Sequence, residues 1–174
     1  MSDDPEQRLQ LELLAPQQLL ALIDGAEQFE QAFGYSADEG LRDFIVSDDV
    51  PDEFIEVLQD AGQADPWMFG FGIIDIARQS VIGTCGFKGP PDIGGMVEIA
   101  YAIVPSCEGQ GFATEATAAL VAFAQEEPDV QLLRAHTLPV ANASTHVLRK
   151  NGFALIGEVE DPDDGPVWRW ERAP

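Results

Sequence analysis

Residues 104–116 read Val-Pro-Ser-Cys-Glu-Gly-Gln-Gly-Phe-Ala-Thr-Glu-Ala and mark the point where a predicted strand passes through a glycine-containing loop into a predicted helix. The preceding residues 96–104 are apolar and β-prone, and apolar residues recur at helical spacing after the loop. Gly109 and Gly111 lack Cβ, so the backbone can turn sharply and bring its N–H groups close to a ligand. Because the first amides of a helix have no internal partners and lie at the positive end of its dipole, the stretch predicts a site for phosphate or pyrophosphate.

Two better-known phosphate loops do not fit this stretch. No Lys-Ser or Lys-Thr pair follows the glycines, which argues against a nucleoside triphosphate loop, and the three-glycine fingerprint of a dinucleotide fold is absent. The stretch resembles motif A of the GNAT superfamily of acyl-CoA-dependent N-acyltransferases, in which Arg or Gln is followed by two residues, Gly, one residue, and then Gly or Ala. Glu108 stands where that family usually has Arg or Gln. A carboxylate beside a pyrophosphate is unfavourable unless its side chain points to solvent.

A second stretch carries the same resemblance. Residues 134–139, Arg-Ala-His-Thr-Leu-Pro, and 142–153, Asn-Ala-Ser-Thr-His-Val-Leu-Arg-Lys-Asn-Gly-Phe, resemble the family's strand and the helix that ends in Lys-x-Gly-Phe. The Asn and Ser at the start of that helix are similar to the subgroup that contains the ribosomal-protein N-terminal acetyltransferases. Residues 98–101, Glu-Ile-Ala-Tyr, and 81–84, Val-Ile-Gly-Thr, match the same subgroup. The resemblance covers nearly the whole chain in order, and it implies a single GNAT-type domain over residues 1–174.

Length and composition agree with one globular domain. The chain has 174 residues, of which 45% are hydrophobic, enough to bury a sizeable core. No apolar run reaches the roughly 18 residues of a membrane helix, and the first six residues lack the features of a signal peptide, so a cytoplasmic protein without membrane association is expected. Two cysteines are too few for a disulfide framework. Cys85 is expected to be buried, and Cys107 to be a loop thiol open to oxidation.

The charge balance is strongly acidic. Nine basic residues face 31 acidic ones, which gives a formal net charge of -22. Nucleic acid is excluded as a partner because phosphate recognition over a wide surface needs stripes of Lys and Arg. Two interpretations stay open: the acidity steers cationic amine substrates towards a cleft, or it is an adaptation for solubility, including solubility in salt.

Apolar periodicity and turn residues predict an α+β fold with a mixed, mostly antiparallel twisted sheet flanked by helices. The expected elements are a strand at 8–14, one helix from Pro16 to Gly34, two short helices within 36–62 that turn Phe54, Val57 and Leu58 inward, an antiparallel meander of strands 67–76, 81–88 and 96–104, a helix that ends near 127–128, a strand at 130–138, a helix at 142–151, and a hairpin of strands 154–159 and 166–171.

By resemblance, the helical region within 36–62 walls the acceptor side of the cleft. Its carboxylates would attract an amine, and the alternative is a solvated acidic face. Those considered for this wall are Asp38, Glu39, Asp43, Asp48, Asp49, Asp52 and Glu53.

The resemblance also implies where acetyl-CoA binds as co-substrate. In GNAT folds the strand before the glycine loop and the next strand splay apart, and the pantetheine arm lies in the gap. Ile103 and Val104 would line that arm, Asn142 and Ser144 would lie near the thioester, and Arg149 or Lys150 would meet the 3′-phosphate. The pyrophosphate would be held by the loop and first helical turn, which comprise Glu108, Gly109, Gln110, Gly111, Phe112, Ala113 and Thr114.

Two residues are candidates for proton transfer. Glu98 interrupts an apolar strand, and desolvation there would make it basic enough to take a proton from an amine; the alternative is a carboxylate paired with Arg78, Arg134 or another cation. Ser144 is the candidate donor to the leaving thiolate, and helix capping beside Asn142 is equally natural for it. Leu148 stands where many family members have Tyr.

The sequence therefore predicts an acetyl-CoA-dependent N-acetyltransferase that uses direct attack by a primary amine in a ternary complex. The acceptor is a protein N-terminus or a small amine. The alternative is an acyl-CoA-binding module of the same fold with little or no turnover. His136 and His146 have no partner at metal-ligand spacing, so no metal is expected. Homodimers are common in such proteins, but the sequence identifies no interface.

Overall fold

The computed structural model describes residues 7–44 and 52–174, which form one eight-stranded sheet with flanking helices. The strands are β1 Leu9–Leu13, β2 Ser36–Ala37, β3 Phe71–Asp75, β4 Ser80–Phe87, β5 Met96–Ile103, β6 Leu132–Thr137, β7 Ala154–Asp161 and β8 Gly165–Arg172. Their order in the sheet is β1-β3-β4-β5-β6-β8-β7, with β2 beside β4. The α-helices are α1 Pro16–Asp24, α2 Ala26–Phe33, α3 Asp52–Asp60, α4 Phe112–Gln125 and α5 Ala143–Lys150, with 3₁₀ turns at Arg42–Phe44 and Pro105–Cys107.

Strand pairing confirms the predicted mixed, mostly antiparallel sheet. Only β2–β4 and β5–β6 are parallel, and β3, β4 and β5 form the predicted meander. The sheet has helices on both faces. Two neighbouring residues of β3 show this, because successive residues of a strand point to opposite sides. A Cβ on Gly72 would meet the Phe33 ring of α2, whereas the neighbouring Phe71 packs edge-on against Phe123 of α4.

The parallel pair β5–β6 opens soon after it starts. Residues 96–98 of β5 pair with 132–134 of β6, and the last pair joins Glu98 to Arg134. Beyond this point β5 continues beside β4 from Ile99 to Ile103, whereas β6 pairs with β8. The predicted splay is confirmed, and it begins at Glu98.

The predicted single helix from Pro16 to Gly34 is wrong. Gly25 adopts an extended conformation, with φ of 161°, and separates α1 from α2. Glycine has a low helix propensity, so a break there costs little. The apolar faces of both short helices still point into the core, and this is why one periodic pattern ran through two helices. Leu19, Leu22, Phe29 and Phe33 are all buried.

The segment after α2 also differs from expectation. In place of two short helices, the described residues form β2, the turn Arg42–Phe44 and α3. Residues 45–51, including Asp48 and Asp49, lie outside the described part of the chain. Leu58 is fully buried as predicted, but Val57 is 45% exposed. Neighbouring residues of a helix point about 100° apart, so a one-sided contact buries only one of them.

The strand predicted at 67–76 begins four residues late, at Phe71. The Asp65 side chain accepts a hydrogen bond from the Trp67 amide at 2.8 Å, and its carbonyl accepts from the amides of Met68 and Phe69. This aspartate holds residues 66–69 in a turn. None of the helices that the structure describes is long and apolar enough to cross a membrane.

Two buried threonines allow a matched test of the core. Trp170, fully buried, donates through Nε1 to Thr137 Oγ1 at 3.0 Å, whereas Thr117 Oγ1 has no partner among the described residues. We predict that Thr137→Val lowers the free energy of unfolding by about 1–3 kcal/mol because it leaves a buried donor unpaired. Thr117→Val should leave stability unchanged or raise it. Urea unfolding of both variants checks this, and equal losses would contradict it.

Candidate active site

The glycine loop leads from β5 into α4 as the sequence predicted. Gly109 and Gly111 have φ of +74° and +85°, which lie in the left-handed region that favours glycine. Gly111 is the residue before the helix, and it has no side chain with which to cap the first amides of α4. Those amides therefore remain available to an anion at the positive end of a 14-residue helix.

Arg8 lies against this loop, and sequence reasoning missed it. Its Nη2 donates to the carbonyl of Gln110 at 2.8 Å, its Nε donates to Glu115 at 2.9 Å, and its guanidinium lies 4.5 Å from the centre of the Phe112 ring. These contacts hold the loop from two sides and add a positive charge beside it. The only available sequence signal was a cation at the start of the first strand, about 100 residues before the loop.

The predicted loop residues occupy different environments. Glu108, Gly109, Gln110 and Gly111 are exposed, Phe112 is buried, and Ala113 and Thr114 are half-buried. The exposed position of Glu108 leaves its side chain in solvent, where the repulsion of a bound anion is screened.

The end of β5 lies beside the gap. Ile103 and Val104 are both buried, and the Val104 amide already donates to the carbonyl of Ile82 at 2.8 Å. Tyr101 lies on the opposite face of β5 from Glu98, because the two positions differ by an odd number of residues on one strand. Its hydroxyl donates to the carbonyl of Ser144 at 3.3 Å and links β5 to α5. Burial raises the pKa of Tyr101, so the hydroxyl keeps its proton.

The start of α5 is capped by a pair in which Ser144 has no part. Asn142 Oδ1 accepts from the Thr145 amide, and Thr145 Oγ1 accepts from the Asn142 amide, both at 3.0 Å. The cap that the sequence offered to Ser144 therefore belongs to Asn142 and Thr145, and the half-buried Ser144 hydroxyl is not used in it. Leu148 is fully buried in the core. Arg149 lies 5.2 Å from the Trp170 ring.

Glu98 is held by two partners on the other face of the sheet. Oε2 lies 3.2 Å from Lys88 Nζ, Oε1 makes a short hydrogen bond with His136 Nδ1, and the side chain is 17% exposed. His136 Nε2 in turn accepts from Arg169 Nε at 3.1 Å. The pairing with a cation that the sequence left open is present, although the cation is Lys88.

The two arginines considered as partners of Glu98 are engaged elsewhere. Arg134 lies directly across from Glu171 and binds it through two nitrogens, at 2.7 and 2.6 Å. Arg78 pairs with Asp38 at 2.7 Å. The sequence offered both arginines as partners of Glu98, but the choice depends on which strands and turns lie side by side.

The Asp38–Arg78 pair also encloses Cys107. Arg78 Nη1 donates to Cys107 Sγ at 3.1 Å, and contacts with Cys107 and then Asp38 raise the pKa of Arg78. Cys107 is only 1% exposed, so the expectation of an accessible loop thiol is wrong. Asp38, with a side chain 8% exposed, is already paired and is removed from the predicted acidic wall.

An open cleft of about 370 Å³ runs over β4 and β5 beside the gap. Thr84, Gly86, Ala100 and Ala102 share the sheet face of Glu98 by strand register and alternation. Ala100 is two residues from Glu98 on the same strand. Small side chains at these positions leave room for a ligand over β4 and β5, although Glu98 itself does not line the cleft. Phe44, Met68, Phe69, Gly70, Cys85, Phe87 and Tyr101 complete the lining.

Comparison with known proteins identifies the architecture. A family model described as an acetyltransferase (GNAT) domain matches residues 19–154. No sequence among the curated proteins matches the chain significantly.

Several solved structures share the fold. A ribosomal L7/L12 alpha-N-protein acetyltransferase in complex with coenzyme A has a TM-score of 0.68 at 17% identity, over 97% of this chain and 95% of that one. A variant of spermidine N-acetyltransferase from Vibrio cholerae has a TM-score of 0.65 at 16% identity, over 95% and 94%. An aminoglycoside acetyltransferase in complex with coenzyme A has a TM-score of 0.60 at 17% identity, over 95% and 94%.

The environments of the two cysteines give a direct test of this site. Cys85 is 5% exposed and burial raises the pKa of its thiol, while Cys107 lies under Arg78. We predict that neither thiol reacts with an aromatic disulfide reagent in the native protein and that both react after unfolding. Rapid native labelling that is lost in Cys107→Ser would contradict the observed burial.

Proposed function

Because the chain belongs to the GNAT acetyltransferase family, we propose that this acyltransferase moves an acetyl group from acetyl-CoA to a primary amine by direct attack in a ternary complex. The observation that carries the proposal is the position of Glu98. It is the last residue of β5 that pairs with β6, so the carboxylate lies where the gap opens.

The acetyl-CoA site follows from the elements around the gap. Backbone amides at the start of α4 bind the pyrophosphate, and Arg8, which is paired with Glu115, holds the loop through the Gln110 carbonyl. The pantetheine arm lies between the unpaired parts of β5 and β6, beside Ile103. Asn142 and Ser144 lie near the thioester, and Arg149 is the cation proposed for the 3′-phosphate.

The reaction needs one proton acceptor and one proton donor. The acceptor loses its ammonium proton to solvent, and its neutral nitrogen attacks the thioester carbonyl carbon. The nitrogen then passes a second proton to Glu98, and the C–S bond breaks. The CoA thiolate takes a proton from the Ser144 hydroxyl, which regains one from water, and Glu98 releases its proton to solvent. Binding both reactants in one cleft supplies the proximity that this attack requires.

The acceptor is proposed as a class: a protein N-terminus or a small amine. The structural relatives include enzymes named for a ribosomal protein, spermidine and aminoglycosides. The net charge of -22 favours an acceptor that is cationic before it reacts. Small side chains at Ala100 and Ala102 favour a primary amine with access from the open cleft.

A second candidate is an acyl-CoA-binding module with little turnover. Burial of Leu148, at the position where many family members have Tyr, favours it because no side-chain hydroxyl is supplied there. The two candidates differ in acceptor-dependent release of CoA thiol.

We predict that acetyl-CoA releases free CoA thiol in the presence of an amine drawn from N-terminal peptides, polyamines, amino acids or aminoglycosides. Glu98→Gln should lower kcat by roughly 100-fold, because it removes the base, and leave the KM for acetyl-CoA unchanged. Glu126→Gln, an exposed carboxylate at the end of α4, is the matched control. Binding of acetyl-CoA without release for any acceptor would support the module, and an unaffected Glu98→Gln would remove Glu98 from the mechanism.

Opposite charge changes at the glycine loop should have opposite effects on binding. We predict that Glu108→Gln tightens acetyl-CoA binding by a factor of about 2–5, because it removes a partly screened repulsion. Arg8→Met, which keeps the contact with Phe112 but loses the donors, should weaken binding by a similar or larger factor. Calorimetry at low and high salt checks both, with Glu127→Gln as control. Unchanged affinity in both variants would show that the loop does not bind the pyrophosphate.

A further inference from the structure

Three adjacent strands carry a continuous chain of hydrogen bonds on the face of Glu98. Glu98 lies on β5, His136 on β6 and Arg169 on β8, and His136 and Arg169 face each other directly in the β6–β8 register. His136 Nδ1 contacts Glu98 Oε1, and Arg169 Nε donates to His136 Nε2 at 3.1 Å. The His136 side chain is 17% exposed, so its hydrogen bonds are partly shielded from water.

The chemistry of the three groups fixes the direction of this chain. A guanidinium N–H can only donate, so His136 Nε2 must be the unprotonated, accepting nitrogen. In a neutral imidazole the other nitrogen then carries the proton. His136 therefore donates through Nδ1 to the carboxylate of Glu98. The arginine at the far end determines which nitrogen of the histidine faces the carboxylate as a donor.

Arg169 has the His136 ring as its partner, although carboxylates are abundant in the chain. The protein has 31 acidic and nine basic residues. Within residues 7–44 and 52–174, no carboxylate lies within 4 Å of the Arg169 guanidinium, whereas the neighbouring Arg134 pairs with Glu171. Arg169 donates to the His136 ring, and the other nitrogen of that ring contacts Glu98. Arg169 therefore acts on Glu98 through His136.

We propose that His136 and Arg169 are positioning residues for Glu98: Arg169 holds His136 in its Nδ1–H form, and His136 holds the Glu98 carboxylate at the opening of the gap. This inference rests on the proposed function, in which Glu98 takes the amine proton. Lys88 holds the second carboxylate oxygen, so the two donors together restrict rotation of the side chain. Asp161 of β7 is the further charged group close enough to interact with His136 and Lys88.

Fixing the carboxylate matters because the proton must be accepted from one direction. A carboxylate free to rotate spends part of its time turned away from the gap, and small displacements of a reacting group cost much of the rate. Such a loss appears in kcat and not in the binding of acetyl-CoA, whose proposed contacts are the α4 amides and the gap beside Ile103. It should also be repaired by any side chain that donates from the position of Nδ1.

Activity of four variants tests the role of the ring. Asn places an amide donor near the position of Nδ1 but cannot act as an imidazole. We expect His136→Ala to lower kcat roughly 10- to 100-fold with unchanged KM for acetyl-CoA, His136→Asn to recover most of that loss, and Arg169→Met to fall between them. His146→Asn, which changes the exposed second histidine, is the control. Full activity in His136→Ala, or equal losses in His136→Ala and His136→Asn, would overturn the proposal.

The protonation of the ring can be measured without an acceptor. Long-range ¹H–¹⁵N correlation spectra of the histidine side chains report which nitrogen carries the proton. We expect His136 to carry it on Nδ1 in the unmodified protein and to lose this preference in Arg169→Met, while exposed His146 stays the same in both. A proton on Nε2, or on both nitrogens, overturns the proposal even if acetyl transfer is observed. If His136 carries its proton on Nδ1 as expected but no acetyl transfer is detected, the proposed function is contradicted, whereas the arrangement of Arg169, His136 and Glu98 is not.

Discussion

The short parallel contact between β5 and β6 determines the layout of the site. The two strands pair only over residues 96–98 and 132–134, after which β5 follows β4 and β6 follows β8. An opening in the middle of a sheet leaves backbone groups without a strand partner, and such groups must find another partner or water. The two parts of the site lie on different faces of the sheet. The glycine loop and α4 lie on one face, and the Glu98 side chain with its hydrogen-bonded partners lies on the other.

The small number of basic residues is a second constraint on the structure. Several basic side chains have a specific structural partner. Arg8 holds the glycine loop, Arg78 joins Asp38 to the turn after β5, and Arg134 pairs with Glu171. Lys88 and Arg169 are then concentrated around Glu98 and His136. In an acidic protein Lys88 and His136 hold both oxygens of the Glu98 carboxylate in place.

Local patterns predicted the elements that depend on neighbouring residues. The glycine loop, the meander, the last hairpin and α5 follow from turn residues and periodicity within a few positions. The break at Gly25 was missed because both helices bury their apolar residues in the same core, so the periodic pattern does not stop. The turn before β3 depends on Asp65, whose apolar successors looked like a strand.

The sequence pattern could not predict contacts between segments that are distant along the chain. Alternation along β5 separates the faces of Glu98 and Tyr101, but the partner of Glu98 depends on strand order, which brings β6 and β8 to that side of β5. Burial of Cys107 depends on Arg78 and Asp38, from two other turns. His136 was given no role because no carboxylate lies near it in sequence; the strand register supplies Glu98 from 38 residues away. Arg8 shows the same dependence on topology.

The central claim is that the gap between β5 and β6, with the glycine loop, holds acetyl-CoA beside Glu98. A crystal structure of the chain with coenzyme A tests it most directly. The account predicts the pyrophosphate on the amides at the start of α4 and the pantetheine arm between residues 99–103 and 135–137, with its thiol end near Ser144. Coenzyme A bound away from the gap, or a gap closed by the Tyr101–Ser144 contact while the ligand lies elsewhere, would contradict it.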